Sequence, residues 1–300
     1  MSEPESSKAD WSLSSGHGYI LNRTRNRKHI SSCRLNLQHY LWREALGFNI
    51  YPSILPHLPR HVKIADVATG TAAWLLDVGR EFPDGQIVGF DKDIKQAPNE
   101  KWLPGNTEVR KWDIFEDVPG EWVEMFDFVH VRLLVLVLEG ESQIRGFVGK
   151  LMRMLKPGGY LQWDELDCGN MHVKTLSSST QAPALQHIRT MSWANGRYDW
   201  TLQIPSFLRD VGFEEIDMQS FGDEDKLVRA FNEQHLLTME EFADSLMRIG
   251  KEEAADMWWE LIERGGGRRR REMHCVFLGL FVGERIRWRD VYDGDSKWRD

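Results

Sequence analysis

Val62-Lys-Ile-Ala-Asp-Val-Ala-Thr-Gly-Thr-Ala-Ala-Trp74 decides the fold class of this chain. A short apolar run gives way to a tight turn of small residues and then to a helix-like segment. A second apolar run, Ile87-Val-Gly-Phe90, closes on Asp91, 21 positions after Gly70. That succession is how a mononucleotide-binding βαβ unit reads. Small residues at Ala68, Gly70 and Ala72 let the backbone turn sharply off the first strand and approach a ligand, where a larger substituent would collide. A carboxylate at the tip of the second strand, Asp91, can accept both hydroxyls of a ribose. Of the three glycines of a dinucleotide fingerprint only Gly70 stands, with alanines at the flanking positions. Taken alone, the segment fits the first βα turn of any Rossmann-like domain.

The rest of the chain continues the alternation. Apolar runs predict strands over residues 63–67, 86–90, 108–111, 126–131 and 160–163. Ile144, Phe147, Val148, Leu151 and Leu155 recur at helical spacing over 144–155. Strands separated by helical crossovers imply a parallel sheet whose ligands lie beyond its carboxyl ends, at the switch point. The third strand ends in Asp113-Ile-Phe115, where the acid can accept an adenine's exocyclic amine while Ile114 and Trp112 cover the ring faces; the same acid would serve as a turn cap. The fourth ends in His130-Val-Arg132, of which strand alternation turns one away from the site, and His130 reads equally as a satisfied core histidine. In Leu155-Lys-Pro-Gly-Gly-Tyr-Leu-Gln-Trp-Asp-Glu-Leu-Asp167, Pro157 ends the helix, the glycines turn the chain, and the fifth strand closes on Asp164, Glu165 and Asp167.

These segments together resemble the class I S-adenosylmethionine-dependent methyltransferases. Arg34-Leu-Asn-Leu-Gln-His39, Asp66-Val-Ala-Thr-Gly-Thr71, Phe126-Asp-Phe-Val-His-Val-Arg132 and the Lys-Pro-Gly-Gly stretch are similar to fungal secondary-metabolite methyltransferases of the gliotoxin-pathway N-methyltransferase type and, more remotely, to LaeA-like regulators. The resemblance covers residues 19–222. It implies a Rossmann-like α/β fold with a seven-stranded sheet, and S-adenosylmethionine as cofactor with S-adenosylhomocysteine as product. By position it gives the cofactor to Asp91, Asp113 and Gly70, with Asp66, Ala68, Thr71, Lys92, Ile114, His130 and Arg132 around them.

Composition bounds the alternatives. At 300 residues the chain is long enough for one elaborated domain with a helical cap. A net charge of −8 argues against broad phosphate-backbone binding. The polar, acidic start has no signal-peptide character, and Leu133-Leu-Val-Leu-Val-Leu138 is too short to span a bilayer. Three scattered cysteines fit reduced thiols and no zinc cluster. A cytoplasmic protein is the expectation, with no nucleic-acid or membrane partner and an oligomeric state the sequence leaves open.

The expected organisation is a flexible tail at 1–17, N-terminal cap helices at 18–61, a cofactor-binding core at 62–222, a helical cap at 223–272, and a final edge strand and tail at 273–300. Leu37, Leu41, Ala45 and Phe48 give the first helix its apolar face, and helices are expected over 227–237, 239–250 and 254–263. Thr238 with Glu241 reads as a capping box between the first two. Trp193, Tyr198, Trp200, Phe231, Phe242, Met247, Met257, Trp258 and Trp259 offer an aromatic and apolar substrate lining. Tyr19, Gln38, Trp193 and Trp258 are the assigned substrate contacts. The glycine-arginine run ending at Arg271 is read as a solvated loop.

Methyl transfer from a sulfonium is an in-line displacement, for which alignment supplies most of the catalysis. A general base is needed only for a protonated acceptor, and Glu165, Asp164 and His130 are its candidates, Glu165 first. His130-Val-Arg132 stands where DNA amino-methyltransferases carry an Asn/Asp-Pro-Pro-aromatic stretch, and offers no oxygen ligands for magnesium. The expected acceptor is therefore a nitrogen or oxygen of a small aromatic or peptide-derived metabolite, with no metal. Two other readings are a non-methylating S-adenosylmethionine-dependent rearrangement or cyclisation, and a LaeA-like regulator.

Overall fold

The computed structural model describes residues 28–179, 181–192, 196–221, 224–265 and 273–282. In chain order the elements are α1 (Lys28–Leu46), β1 (Lys63–Val67), α2 (Ala73–Glu81), β2 (Gln86–Asp91), β3 (Thr107–Lys111), β4 (Phe126–Arg132), α3 (Gly140–Met154), β5 (Leu155–Thr175), α4 (Pro183–Ser192), α5 (Ile204–Asp210), β6 (Met218–Phe221), α6 (Asp225–Arg248), α7 (Glu252–Gly265) and β7 (Met273–Val282), joined in places by single 3-10 turns.

The strands lie in the order β3-β2-β1-β4-β5-β7-β6. Strands β1 to β5 pair in parallel, as the intervening helices require. Because β1 pairs on both sides, its short run is apolar and buried at every position after Lys63 except for the acid Asp66, itself buried. The chain winds outward from β1 to β3, then returns to the other side of β1 for β4. That reversal opens a crevice at the carboxyl ends of β1 and β4. Gly89 permits the close approach of the first βα unit to β2: a Cβ there would sit 2.6 Å from Leu75 Cδ1 and 2.9 Å from Thr69 Oγ1.

Four expectations are corrected. The last strand is not at the sheet edge: β7 lies antiparallel between β5 and β6, because the long β5 pairs with it from Trp163↔Val282 to Thr175↔Met273, leaving the four-residue β6 outermost. Pro157 does not end α3, which stops at Met154; Lys156-Pro-Gly-Gly159 instead makes the irregularity by which Phe126 pairs with Leu155 but Phe128 with Tyr160. The helices expected over 227–237 and 239–250 are one, α6, since Leu236, Met239, Phe242, Ala243 and Leu246 continue a single buried stripe with no glycine or proline to break it. Thr238 is therefore no cap; its hydroxyl donates to the Gln234 carbonyl within the helix at 3.2 Å.

The fourth correction concerns α1. Leu37 faces out, and the buried face runs through Arg34, His39, Leu41, Trp42 and Leu46. Two polar residues belong on that face because their partners lie across it. Arg34 donates from Nε to Glu241 Oε1 at 3.0 Å and from Nη2 to Oε2 at 3.2 Å, joining α1 to α6. His39 Nε2 lies 2.9 Å from Asp77 Oδ2 on α2. Leu41, Trp42 and Leu46 then pack with Leu227 and Phe231 of α6, so the two helices roof the carboxyl end of the sheet together.

Candidate active site

The turn after β1 is left-handed at three positions: Ala68 at φ +60°, Gly70 at +57° and Ala72 at +62°. An L side chain in that region costs about 1–2 kcal/mol, so Ala68 and Ala72 are held there under strain while Gly70 takes it freely. A Cβ on Gly70 would meet nothing nearer than Leu35 Cδ1 at 3.8 Å, so this residue opens the turn to the space under α1. The turn is tied to the tip of β2. Asp91 Oδ2 accepts the Gly70 N–H at 2.9 Å and Oδ1 accepts the Asp93 N–H at 2.9 Å, leaving further lone pairs on both oxygens. Burial pushes the Asp91 carboxyl above the usual range, only partly offset by those two N–H groups.

Beyond β3, Asp113 serves as both site and cap. Its Oδ1 accepts the Phe115 N–H at 3.1 Å, and Oδ2 pairs with Lys92 Nζ at 2.7 Å. Burial raises its pKa, but the hydrogen bonds from Lys92 and Phe115 and the charges of Lys92 and Lys150 outweigh it and hold the carboxyl below its ordinary value. Trp112 and Ile114 flank it, nearly buried.

His130 occupies the switch point. The register Asp66↔His130 sets the ring beside the β1 acid, with Nδ1 2.7 Å from Asp66 Oδ1, and Nε2 is 3.3 Å from Asp164 Oδ2 on β5. Trp74 stacks on it at 3.8 Å between ring centroids, within 4° of parallel. The expectation that one of His130 and Arg132 turns away is corrected: two residues apart on a strand they share a face, and both line the same cavity. Arg132 donates from Nε to Asp164 Oδ2 at 2.8 Å and lies over the Trp42 ring at 5.4 Å. Burial raises the Asp164 pKa, yet Arg132 and the His130 bond prevail and lower it. The Arg132 Nη1 also reaches His39 Nδ1 at 3.3 Å. A guanidinium only donates, so His39 accepts at Nδ1 and gives its Nε2 proton to Asp77, the neutral tautomer. Burial accordingly lowers the His39 pKa.

These groups border one cavity of about 410 Å³. Asp66, Ala68, Gly70, Thr71, Asp91, Lys92, Asp113 and Ile114 line it, with His130 and Arg132. The remaining wall is made by Gln38, His39 and Trp42 of α1, Phe231, Gln234, His235 and Thr238 of α6, and the segment Leu133 to Val137 after β4. Burial pushes the His235 pKa down to about 3, which keeps that ring neutral.

All ten residues expected around the cofactor line this cavity, and of the expected substrate contacts Gln38 does so. Tyr19 and Trp193 lie outside the described residues, as does the arginine run beyond Gly265. Trp258 is not at the cavity: it packs edge-on against Phe242 at 5.4 Å, in an apolar cluster with α4 and α6. Tyr198, Trp200, Phe242, Met257 and Trp259 belong to the same cluster, because α6 turns that face to α7; of the cap aromatics expected to line a substrate cavity only Phe231 does so among the described residues. Asp164 and Glu165 are wholly buried and are not among the residues that line the cavity; Asp164 pairs with Arg132, and Glu165 accepts backbone N–H groups. Sequence reasoning missed Trp42, Trp74, Gln234, His235 and the ion pair of Arg34 with Glu241. Only α1 carried a legible signal, since Arg34 and His39 share a helical face with Trp42. Among the described residues no group of three or more His, Cys, Asp or Glu is arranged to hold a metal ion, and no helix is long and apolar enough to cross a membrane.

No family model matches the chain. It is 36% identical over 104 residues to the N-methyltransferase verN of Clonostachys rogersoniana, spanning about a third of each chain: 34% of this one and 36% of that one. It is 30% identical over 205 residues to the N-methyltransferase tcpN of Claviceps purpurea, covering 66% of this chain and 72% of that protein. In fold it is similar to a phosphoethanolamine N-methyltransferase of Haemonchus contortus solved with S-adenosyl-L-methionine, at a TM-score of 0.50 and 12% identity, over 90% of this chain and 59% of that one. With the turn, the three strand-end acids and the histidine-arginine pair in one cavity, and with a relative of this identity matched over most of its length, the chain belongs to the class I S-adenosylmethionine-dependent methyltransferases, among those of fungal secondary metabolism.

Proposed function

We propose that this cavity binds S-adenosylmethionine and that the protein transfers its methyl group to a nitrogen or oxygen of a small aromatic or peptide-derived metabolite. The observation that carries the reading is the meeting of Gly70, Asp91 and Asp113, from three successive strand ends, with His130 and Arg132 in one cavity. The residues fit the group. Asp91 keeps acceptor capacity for two ribose hydroxyls, Gly70 leaves room where a side chain would intrude, and Asp113, Trp112 and Ile114 offer an acceptor and two apolar faces to an adenine.

When bound, S-adenosylmethionine supplies an electrophilic methyl carbon whose bond to sulfur breaks, with its electron pair, as the acceptor's lone pair bonds to carbon. The chain's work is to hold and align. His130 is fixed against rotation by Asp66, Asp164 and Trp74, and Arg132 is fixed by Asp164 and His39. Such preorganised groups keep the two reactants in near-attack geometry. Leu133, Val135, Leu136, Trp42 and Phe231 exclude water from the acceptor's side, with Gln38, Gln234 and Thr238 as orienting polar groups. Of the three expected proton acceptors His130 alone borders the cavity. Mass spectrometry after incubation with S-adenosylmethionine and a panel of aromatic amines, phenols and cyclic dipeptides tests the reading. A product heavier by one methylene with equimolar S-adenosylhomocysteine is expected; turnover of an acceptor without S-adenosylhomocysteine would overturn it.

A further inference from the structure

Leu133 sits at the end of β4 with φ +60°, a backbone conformation that a branched side chain adopts only under constraint. The constraint is visible in the residues that follow. The Leu133 N–H donates to the Asp164 carbonyl at 2.9 Å, and the Leu134 N–H donates to Glu165 Oε2 at 2.8 Å. The same oxygen takes the Trp163 indole N–H at 3.3 Å, while Oε1 takes the Leu166 N–H at 3.0 Å. Glu165 is thus a wholly buried carboxyl group whose two oxygens accept N–H groups, and it grips the first turn of the segment that lines the cavity from Leu133 to Val137. Leu133 itself packs with Trp42 and Phe231 of the roof, so the segment belongs to the wall on the acceptor's side and not to the Gly70–Asp91 side.

We propose that Glu165 is a positioning residue: it holds the Leu133–Val137 segment in its strained course and thereby shapes the acceptor side of the cavity without touching acceptor or cofactor. The assignment of that side rests on the methyl-transfer reading above, whereas the grip itself does not. A glutamine at 165 keeps the size but offers one acceptor oxygen where two are used, so it sets an amide N–H against the donors on one side.

The test is hydrogen exchange on the full chain saturated with S-adenosylhomocysteine, beside calorimetric titration of that ligand. In Glu165→Gln, exchange of the 133–137 amides rises at least about tenfold, strands β1 and β2 keep their protection, and the S-adenosylhomocysteine Kd stays within about twofold. Unchanged exchange at 133–137, or a uniform rise through the sheet with loss of ligand binding, would each overturn the proposal. Failure of the methyl-transfer reading is seen separately, as absence of ligand heat from the wild-type protein.

Discussion

The Asp91 carboxylate accepts the Gly70 amide at 2.9 Å, so the turn after β1 and the tip of β2 are one construction. Replacing Asp91 by alanine removes the tie that holds the turn and, on the proposed function, the acceptor for a ribose. Charge-assisted hydrogen bonds of this kind contribute about 1.5–3 kcal/mol each, so S-adenosylhomocysteine binding is expected to weaken by roughly 100-fold or more, measured by calorimetry.

Gly89 tests the same construction from beneath. A methyl group there would meet Leu75 Cδ1 at 2.6 Å and Thr69 Oγ1 at 2.9 Å, both in the core of the βα unit. Gly89→Ala is expected to cost about 1–3 kcal/mol in urea unfolding and to weaken ligand binding, because Thr69 can yield only by moving the turn.

Arg34 and Glu241 form an ion pair whose side chains are 2% and 7% exposed. Breaking it from one side strands a charge under the roof. Arg34→Leu alone is expected to cost about 3–5 kcal/mol, whereas Arg34→Leu with Glu241→Leu recovers most of that loss, read from unfolding midpoints in a double-mutant cycle.

Burial pushes the Glu165 pKa up from 4.5 to about 7, against the hydrogen bonds from Leu166, Trp163, Leu134 and Val135. The folded chain therefore binds this proton more tightly than the unfolded chain does. Its contribution to stability is full below pH 4.5 and is lost as the pH rises through about 7. Glu165→Gln cannot ionise. The stability of the wild type relative to this variant is expected to fall by roughly 3 kcal/mol between pH 5 and pH 8 in urea titrations.

The parts of the fold legible in the sequence are those set by local pattern. Strand β1 matches the expected 63–67, because five residues between a polar entry and a turn of small residues leave little else possible. The residues expected around the cofactor meet in one cavity for the same reason: each lies at or near the carboxyl end of a strand, and those ends converge in a parallel sheet. What the sequence hid depends on partners distant along the chain. Arg34 looks like a surface residue until Glu241, 207 positions away, is beside it. Thr238 and Glu241 make a plausible capping box, and only the packing of α6 on both α1 and α7 keeps the helix running through them. Glu165 follows Asp164 by one residue on an acidic strand end; alternation sends Asp164 to Arg132 and Glu165 to the Leu134 amide on the opposite side.

The central claim is that the Gly70–Asp91 construction holds S-adenosylmethionine. Isothermal titration of S-adenosylmethionine into the wild-type chain and into Asp91→Ala tests it most directly. A saturable one-to-one binding heat in the wild type that is lost in Asp91→Ala is the predicted result. No heat from the wild type at millimolar ligand, or equal binding by both proteins, would contradict it.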